Sequence, residues 1–188
     1  MNTSTASVLG LIYVLSELGL AVKKRAKAAE TRDGDRGSLR LLWIVIVVCV
    51  TLSFNLAYLV PAASMGAAPA LRAVGIATFV VGLMIRWYAI VHLGRFFTVD
   101  VAIATDHRLI DTGPYRFVRH PSYTGALMAF LGLALCLANW ASLAVMVVPV
   151  FLVFLRRMQV EEGALLQALG DHYRDYMKRT KRLIPAVY

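Results

Sequence analysis

Apolar residues occur along the chain in five runs that are separated by polar or mixed segments. The runs cover about residues 7–22, 41–60, 69–91, 123–137 and 141–155. A helix that crosses a bilayer needs about 20 apolar residues, and the second run meets this requirement best. The last two runs are shorter and are joined only by Ala138-Asn139-Trp140. We therefore expect them to form a helical hairpin that packs partly against its neighbours.

The polar C-terminal part predicts one further helix. Between Glu161 and Lys181, apolar and aromatic side chains recur at spacings of three and four residues, namely Leu165, Leu169, Tyr173 and Tyr176. This periodicity is typical of an amphipathic helix, which we expect to lie on the membrane or over a site and to end at Pro185. The predicted fold is all-α: an integral membrane protein with about five transmembrane helices, the last two a hairpin, and a cytosolic amphipathic C-terminal helix.

Composition and charge agree with a membrane protein of one domain. The chain has 188 residues, of which 59% are hydrophobic and 16% charged, whereas soluble domains average about 25% charged residues. The net charge of +9 fits cytosolic loops facing anionic lipid, and no basic soluble domain is present to bind nucleic acid. The two cysteines, Cys49 and Cys136, fall in apolar runs and form no zinc-binding pattern, so no metal site is predicted.

The distribution of lysine and arginine predicts the orientation in the membrane. These residues accumulate in segments 23–40, 95–119 and 156–188, and they are absent from 61–68 and from the turn at 139–140. By the positive-inside rule, the N-terminus then lies outside and the C-terminus lies in the cytosol. The polar residues within 95–119 and 156–188 are therefore expected on the cytosolic side.

The first polar cluster is the segment 113–123, GPYRFVRHPSY, which lies between two apolar runs. Polar residues at a membrane boundary cost free energy unless they are used. Proline is favoured at the first position of a helix, so Pro121 places His120 at the mouth of the fourth helix, where N–H groups favour an anion. A helix that simply starts with proline, and whose Arg119 and His120 reach water, explains the same residues.

The second polar cluster contains Arg156, Arg157, Glu161 and Glu162. Arg157 and Glu161 are four residues apart and therefore share one helix face. They form either an ordinary ion pair or a ligand site in which Glu161 holds an amine and Arg157 holds a carboxylate. We expect Arg156 and Glu162, on neighbouring faces, to be solvated.

Two further charged residues lie inside predicted membrane helices. We expect Glu17 of the first run to pair with a lysine or arginine. Arg86 lies deeper in the third run, and it is expected either to pair with an acid or to extend to the cytosolic side.

The residues of both clusters resemble the isoprenylcysteine carboxyl methyltransferase family. The similar part runs from about Leu93 to the C-terminus, roughly half of the chain. It comprises Leu93-Gly94-Arg95, the HRLI motif at 107–110, the segment 113–123, Arg157, Glu161-Glu162, the LGDHY motif at 169–173 and the RLIP motif at 182–185. The order and spacing of these motifs agree with the family.

The resemblance implies a small multi-helix membrane enzyme that binds S-adenosylmethionine without a Rossmann domain and releases S-adenosylhomocysteine. The implied cofactor-binding residues are His107, Arg108, Leu109, Ile110, Tyr115, His120, Pro121, Ser122, Tyr123 and Glu161. Glu161 would bind the amino-acid end of the cofactor, and Arg157, the implied catalytic residue, would lie at the substrate carboxylate. Residues 92–188 would then form the cofactor-binding and catalytic part of a single methyltransferase domain, 1–188, after three membrane helices in 1–91.

These motifs leave the methyl acceptor open. It is either a prenylated protein or a small lipophilic acid, and Arg157 favours such a carboxylate over the amine of a membrane phospholipid. A phospholipid N-methyltransferase and a non-catalytic membrane binding protein are the alternative interpretations. The short chain resembles compact prokaryotic members of the family, for which the plasma membrane is the expected location.

Overall fold

Six α-helices make up most of the part of the chain that the structure describes. The computed structural model describes residues 4–25, 36–66, 68–97 and 109–188. The helices are α1 (Ser4–Arg25), α2 (Arg36–Leu59), α3 (Ala68–Leu93), α4 (Pro121–Leu137), α5 (Trp140–Leu169) and α6 (Asp171–Arg179), with short 3-10 turns at Pro61–Ala63, Gly94–Phe96 and Gly113–Arg116. Within these described ranges only two isolated β-bridges interrupt the helical pattern, so the all-α prediction is confirmed.

Among the described residues, three helices are long and apolar enough to cross a membrane, as expected of an integral membrane protein. These segments are Gly37–Leu59, Ala68–Leu93 and Trp140–Leu169. The apolar parts of α1 and α4, Ser4–Leu20 and Pro121–Leu137, are shorter. The predicted total of five transmembrane helices therefore stays a prediction.

The predicted division of the C-terminal third is wrong. The apolar and polar patterns predict a span at 141–155 and a separate helix at 161–181, but α5 continues without a break through Leu169. Arginine, glutamate and leucine all favour helix, so the charged residues that follow the apolar run do not end it. The break comes at Gly170, which has a φ of 56° that glycine adopts without strain. The next helix, α6, ends at Arg179 rather than at Pro185.

Four glycines allow α3 and α4 to pack with their backbones in contact. Gly75 and Gly82 of α3 lie against Gly132 and Gly125 of α4, respectively, so the two helices run antiparallel. A Cβ atom at Gly125 would lie 2.5 Å from the Gly82 carbonyl oxygen and 2.5 Å from the Arg86 nitrogen. Small residues commonly mediate helix association in lipid, because lipid tails are as apolar as leucine and burial alone gives no driving force. This packing positions the start of α4.

The turn between α4 and α5 is tied to α2 by buried polar groups. Asn139 caps α5 by accepting a hydrogen bond from the Ser142 N–H at 3.0 Å, and its Nδ2 donates to the Val60 carbonyl at 2.9 Å. One turn further, Ser53 Oγ donates to the Ser142 carbonyl at 3.0 Å and Ser142 Oγ donates to the Ser53 carbonyl at 2.7 Å. These bonds satisfy polar groups that would be costly to leave unpaired in an apolar environment.

A buried ion pair attaches α1 to α3. Arg86 donates from Nε and Nη2 to the two carboxylate oxygens of Glu17, each at 2.7 Å. Next to this pair, Trp87 Nε1 donates to Ser16 Oγ at 2.8 Å. The pairing of Glu17 with a basic residue, and of Arg86 with an acid, is confirmed.

The glycine contact predicts a specific loss of stability. We expect Gly125→Ala to destabilise the purified protein in detergent by about 1–3 kcal/mol, because overpacking would force backbone atoms apart. The matched control is Gly10→Ala in α1, where an added Cβ meets no atom within 4 Å and alanine favours helix. Thermal unfolding followed by circular dichroism measures both variants, and equal melting temperatures would contradict the close packing of α3 and α4.

Candidate functional site

The two polar clusters meet where α4 begins and the second half of α5 passes it. His120 Nε2 lies 3.1 Å from Glu162 Oε1, and His120 Nδ1 lies 3.9 Å from Glu161 Oε2. Tyr123, in the first turn of α4, donates its hydroxyl to Glu161 Oε2 at 2.9 Å. His120, Tyr123 and Glu161, which the sequence analysis groups as ligand-binding residues, are therefore neighbours.

The start of α4 holds these side chains in fixed directions. Pro121 occupies the first helical position, where its missing N–H costs nothing, and the His120 carbonyl accepts from the Tyr123 and Thr124 N–H groups at 3.0 Å. The His120 ring stacks on Tyr123, with centroids 5.4 Å apart and planes inclined by 17°. Tyr123 also packs against Phe154 of α5 at a centroid distance of 5.0 Å. Both rings thus have one preferred orientation.

The segment after α6, residues 180–188, which we call the tail, supports the same helix start. The N–H groups of Arg119 and His120 donate to the carbonyls of Lys181 and Arg182 at 2.8 and 3.0 Å. Thr124 Oγ1 donates to the Leu183 carbonyl at 2.8 Å. The tail therefore fixes the backbone that carries His120.

Glu162 contradicts the expectation that it is solvated. Its side chain is only 4% exposed, and its carboxylate accepts from Arg119 Nε at 2.8 Å and from Arg182 Nη2 at 2.7 Å, in addition to the His120 contact. Hydrogen bonding to Glu162 raises the pKa of Arg182 above its usual value. Arg156, in contrast, is exposed as expected.

The burial of Glu162 follows from the continuity of α5. Phe154 and Met158 are buried, and residues four apart on a helix share a face, so Glu162 continues the buried face of this helix. The spacing of Phe154, Met158 and Glu162 was a signal in the sequence. Because the helix was predicted to end near residue 155, Glu162 was not assigned to the same helix face as Phe154.

Arg157 lies on the α2 side of the site, where it contacts Ser38. The residue is buried, with 3% of its surface exposed. Its Nη1 donates to Ser38 Oγ at 2.6 Å, and its side chain also interacts with the Tyr123 hydroxyl. The Tyr123 hydroxyl therefore lies between the acid and the arginine. No pattern in the sequence indicates Ser38, because only folding brings the first turn of α2 against α5.

Tyr115 lies at the other edge of the site and connects α3 to α6. Its hydroxyl donates to the Ala89 carbonyl at 3.3 Å, and its own carbonyl accepts from the Tyr176 hydroxyl at 2.6 Å. The ring stacks on His92 at a centroid distance of 6.3 Å. Burial, reinforced by the charge of Glu161, raises the pKa of Tyr115 well above its usual value.

The remaining implied cofactor-binding residues lie in three places along the chain. Ser122 is buried next to His120, and its carbonyl accepts from Arg86 Nη1 at 3.3 Å. Leu109 and Ile110 are half-buried in the non-helical segment before Tyr115. His107 and Arg108 lie outside the residues that the structure describes.

The two neighbouring acids differ in what they can bind. The Glu162 carboxylate is enclosed by two guanidinium groups, whereas the Glu161 side chain is 32% exposed and contacts a phenol and an imidazole. A partly exposed carboxylate with this environment can accept charge-assisted hydrogen bonds from a cationic ligand. Arg157, four residues earlier, offers the planar donors that suit a carboxylate.

Comparisons with known proteins point to one family. The sequence model of the isoprenylcysteine carboxyl methyltransferase (ICMT) family matches residues 74–167. The probable protein-S-isoprenylcysteine O-methyltransferase of Oryza sativa subsp. indica is 32% identical over 116 residues, which are 61% of this chain and 61% of the rice protein. The protein-S-isoprenylcysteine O-methyltransferase of Schizosaccharomyces pombe is 34% identical over 56% of this chain and 46% of its own length. The chain therefore spans less than two thirds of these relatives.

A solved structure agrees with the sequence matches. The structure of a eukaryotic intramembrane Ras methyltransferase, isoprenylcysteine carboxyl methyltransferase, superimposes with a TM-score of 0.65 and 28% identity. The alignment covers 79% of this chain and 53% of that chain. The resemblance drawn from the motifs after Leu93 is thus confirmed, and the family match extends it upstream into α3.

The contacts of Glu162 predict how strongly the tail is held. We expect Arg182→Ala to destabilise the protein by about 1–3 kcal/mol, because a buried carboxylate loses a charged donor. It should also expose the tail to proteolysis. The control is Arg174→Ala in α6, since Arg174 is exposed and pairs only with exposed Asp171 among the described residues, and such surface pairs contribute little. Equal cleavage rates for both variants in limited proteolysis would contradict the role of Arg182.

Proposed function

Because the chain belongs to the isoprenylcysteine carboxyl methyltransferase family, we propose that it is a membrane enzyme that methylates a lipophilic carboxylate with S-adenosylmethionine. The acceptor is an isoprenylcysteine-like compound or another lipid acid. The observation that carries this proposal is the arrangement of Glu161 and Arg157 around the Tyr123 hydroxyl. This arrangement offers one group for a ligand amine and one for a carboxylate, at the edge of an apolar helical bundle.

The residues at the start of α4 suit the amino-acid end of the cofactor. The partly exposed Glu161 would bind the ammonium group, and His120, Pro121, Ser122 and Tyr123 would line the same side. Leu109, Ile110 and Tyr115 would contact the adenosine part, together with His107 and Arg108. When bound, S-adenosylmethionine supplies an electrophilic sulfonium methyl group, which a carboxylate attacks without losing a proton.

The task of the protein is therefore placement and exclusion of water. Arg157 would orient the acceptor carboxylate with its planar donors, and the hydrogen bond to Ser38 at 2.6 Å would hold the guanidinium in place. Correct alignment of two reactants accelerates such a step strongly. The buried position of Arg157 would also remove water from around the acceptor oxygen.

The helical bundle suggests separate routes for the two ligands. The acceptor's apolar chain would enter sideways from the bilayer, and the cofactor would enter from the cytosol. The basic segments at 95–119 and 156–188 support a cytosolic site by the positive-inside rule. The plasma membrane is the proposed location, and residues 92–188 are the proposed cofactor-binding and catalytic part of one domain.

A binding measurement followed by a transfer assay distinguishes this function from its alternatives. Calorimetry with S-adenosylhomocysteine is followed by transfer from methyl-labelled S-adenosylmethionine to acetyl-farnesyl-cysteine or to phosphatidylethanolamine. We expect binding and formation of a methyl ester that alkali hydrolyses. N-methylation would instead select a phospholipid methyltransferase, and failure to bind S-adenosylhomocysteine would contradict both enzymatic functions.

The role of Arg157 gives a quantitative prediction. We expect Arg157→Ala to lower kcat/KM for the farnesyl acceptor by roughly 30-fold or more, because truncating one partner of a buried charged contact costs at least about 2 kcal/mol. Affinity for S-adenosylhomocysteine should stay within about twofold, which also shows that the variant is folded. The matched control is Arg156→Ala, which removes an exposed arginine one residue away. Unchanged turnover of Arg157→Ala would exclude it from acceptor binding.

A further inference from the structure

We propose that Glu162 is a positioning residue that fixes the tautomer of His120. In this arrangement, whenever the His120 ring is neutral, it carries its proton on Nε2 and presents Nδ1 as a hydrogen-bond acceptor beside Glu161. The identity of the group that Nδ1 accepts from, the ammonium of the cofactor's amino-acid end, rests on the proposed function. The tautomer itself rests only on the contacts of Glu162.

Glu162 acts only as a hydrogen-bond acceptor. Its carboxylate accepts hydrogen bonds from Arg119 Nε at 2.8 Å and from Arg182 Nη2 at 2.7 Å. Two guanidinium groups at this distance favour the ionised carboxylate, and an ionised carboxylate has no proton to donate.

The acceptor role of Glu162 determines which nitrogen of His120 carries the proton. Because His120 Nε2 lies 3.1 Å from Glu162 Oε1, this nitrogen must be the donor. The other tautomer would direct the Nε2 lone pair at the carboxylate oxygen, which is repulsive. In a neutral imidazole one nitrogen is a donor and the other an acceptor, so Nδ1 is the acceptor.

The position of Glu162 is itself fixed from two sides. Arg119 Nη1 also donates to the Met177 carbonyl at 3.2 Å and to the Thr180 carbonyl, at the end of α6. Arg182 donates to Glu162 with its side chain, while its carbonyl accepts from the His120 N–H at 3.0 Å. The same tail residue therefore holds both the backbone of His120 and the acid that orients its ring.

The acceptor nitrogen then lies on the ligand side of the ring. His120 Nδ1 is 3.9 Å from Glu161 Oε2, which is too long for a direct hydrogen bond. An ammonium group that lies to one side of these two atoms, within hydrogen-bond distance of each, could donate both to the imidazole nitrogen and to the carboxylate. In the opposite tautomer, the Nδ1–H group would point at this position and would repel the ammonium group of the ligand. Glu162 thus acts on ligand binding through His120, without contacting the ligand.

The tautomer can be measured directly by nuclear magnetic resonance. The chain has four histidines, so protein labelled with ¹⁵N-histidine in detergent micelles gives few ring signals, and His120→Asn identifies those of His120. In mildly alkaline buffer, where imidazole is neutral, we expect His120 to show a protonated Nε2 and an unprotonated Nδ1. A protonated Nδ1 in the wild-type protein would overturn the proposal whether or not Glu162 variants fold.

Two isosteric variants then separate Glu162 from its neighbour. We expect Glu162→Gln to yield a mixture of tautomers and to weaken S-adenosylhomocysteine binding by about tenfold, as expected for one impaired charge-assisted contact. Glu161→Gln removes the same charge on the Nδ1 side, so it should weaken binding but leave the tautomer unchanged. A Glu162→Gln protein with the wild-type tautomer and affinity would overturn the proposal. If the wild-type protein shows the expected tautomer but binds no S-adenosylhomocysteine, the proposed function fails while the positioning by Glu162 stands.

Discussion

The contact between the α3 and α4 backbones is the constraint on which the site depends. With Gly125 lying against Gly82 and the Arg86 nitrogen, the first turn of α4 has one position relative to α3. From there Arg86 reaches both the Ser122 carbonyl and Glu17 of α1. Wider separation of the two helices would break these contacts, because hydrogen bonds tolerate only a few tenths of an ångström. The site is thus built on backbone packing and then completed by side chains.

Two adjacent acids on α5 have different surroundings because consecutive residues of a helix point in different directions. Glu162 faces the tail and the start of α4, where Arg119 and Arg182 enclose it. Glu161 points toward Tyr123 and remains partly exposed. One carboxylate can therefore stabilise the structure while the other stays available to a ligand. From a pair of adjacent glutamates in a sequence alone, the buried residue cannot be distinguished from the exposed one.

Local patterns determined much of the fold. The apolar runs located α3 to within two residues and α2 to within five at its start, because an uninterrupted apolar segment of this length has few alternatives to a helix in lipid. Pro121 marked the start of α4 correctly, since proline is compatible with the first helical position. The prediction failed where charge was taken as the end of a helix. α5 continues through Leu169 because Gly170, and not the charged residues, supplies the backbone geometry that ends it.

The sequence by itself determined that a charged, histidine-containing segment precedes one apolar run and that an arginine–glutamate pair follows the last apolar run, and its motifs identified the family. It also indicated that Glu17 and Arg86 need partners of opposite charge, because unpaired charges are costly in an apolar environment. Only the tertiary structure decided that these two residues pair with each other, that Ser38 meets Arg157, and that Glu162 is buried. Those contacts join residues far apart in the chain, and their geometry depends on how closely the helices pack, which no local pattern encodes.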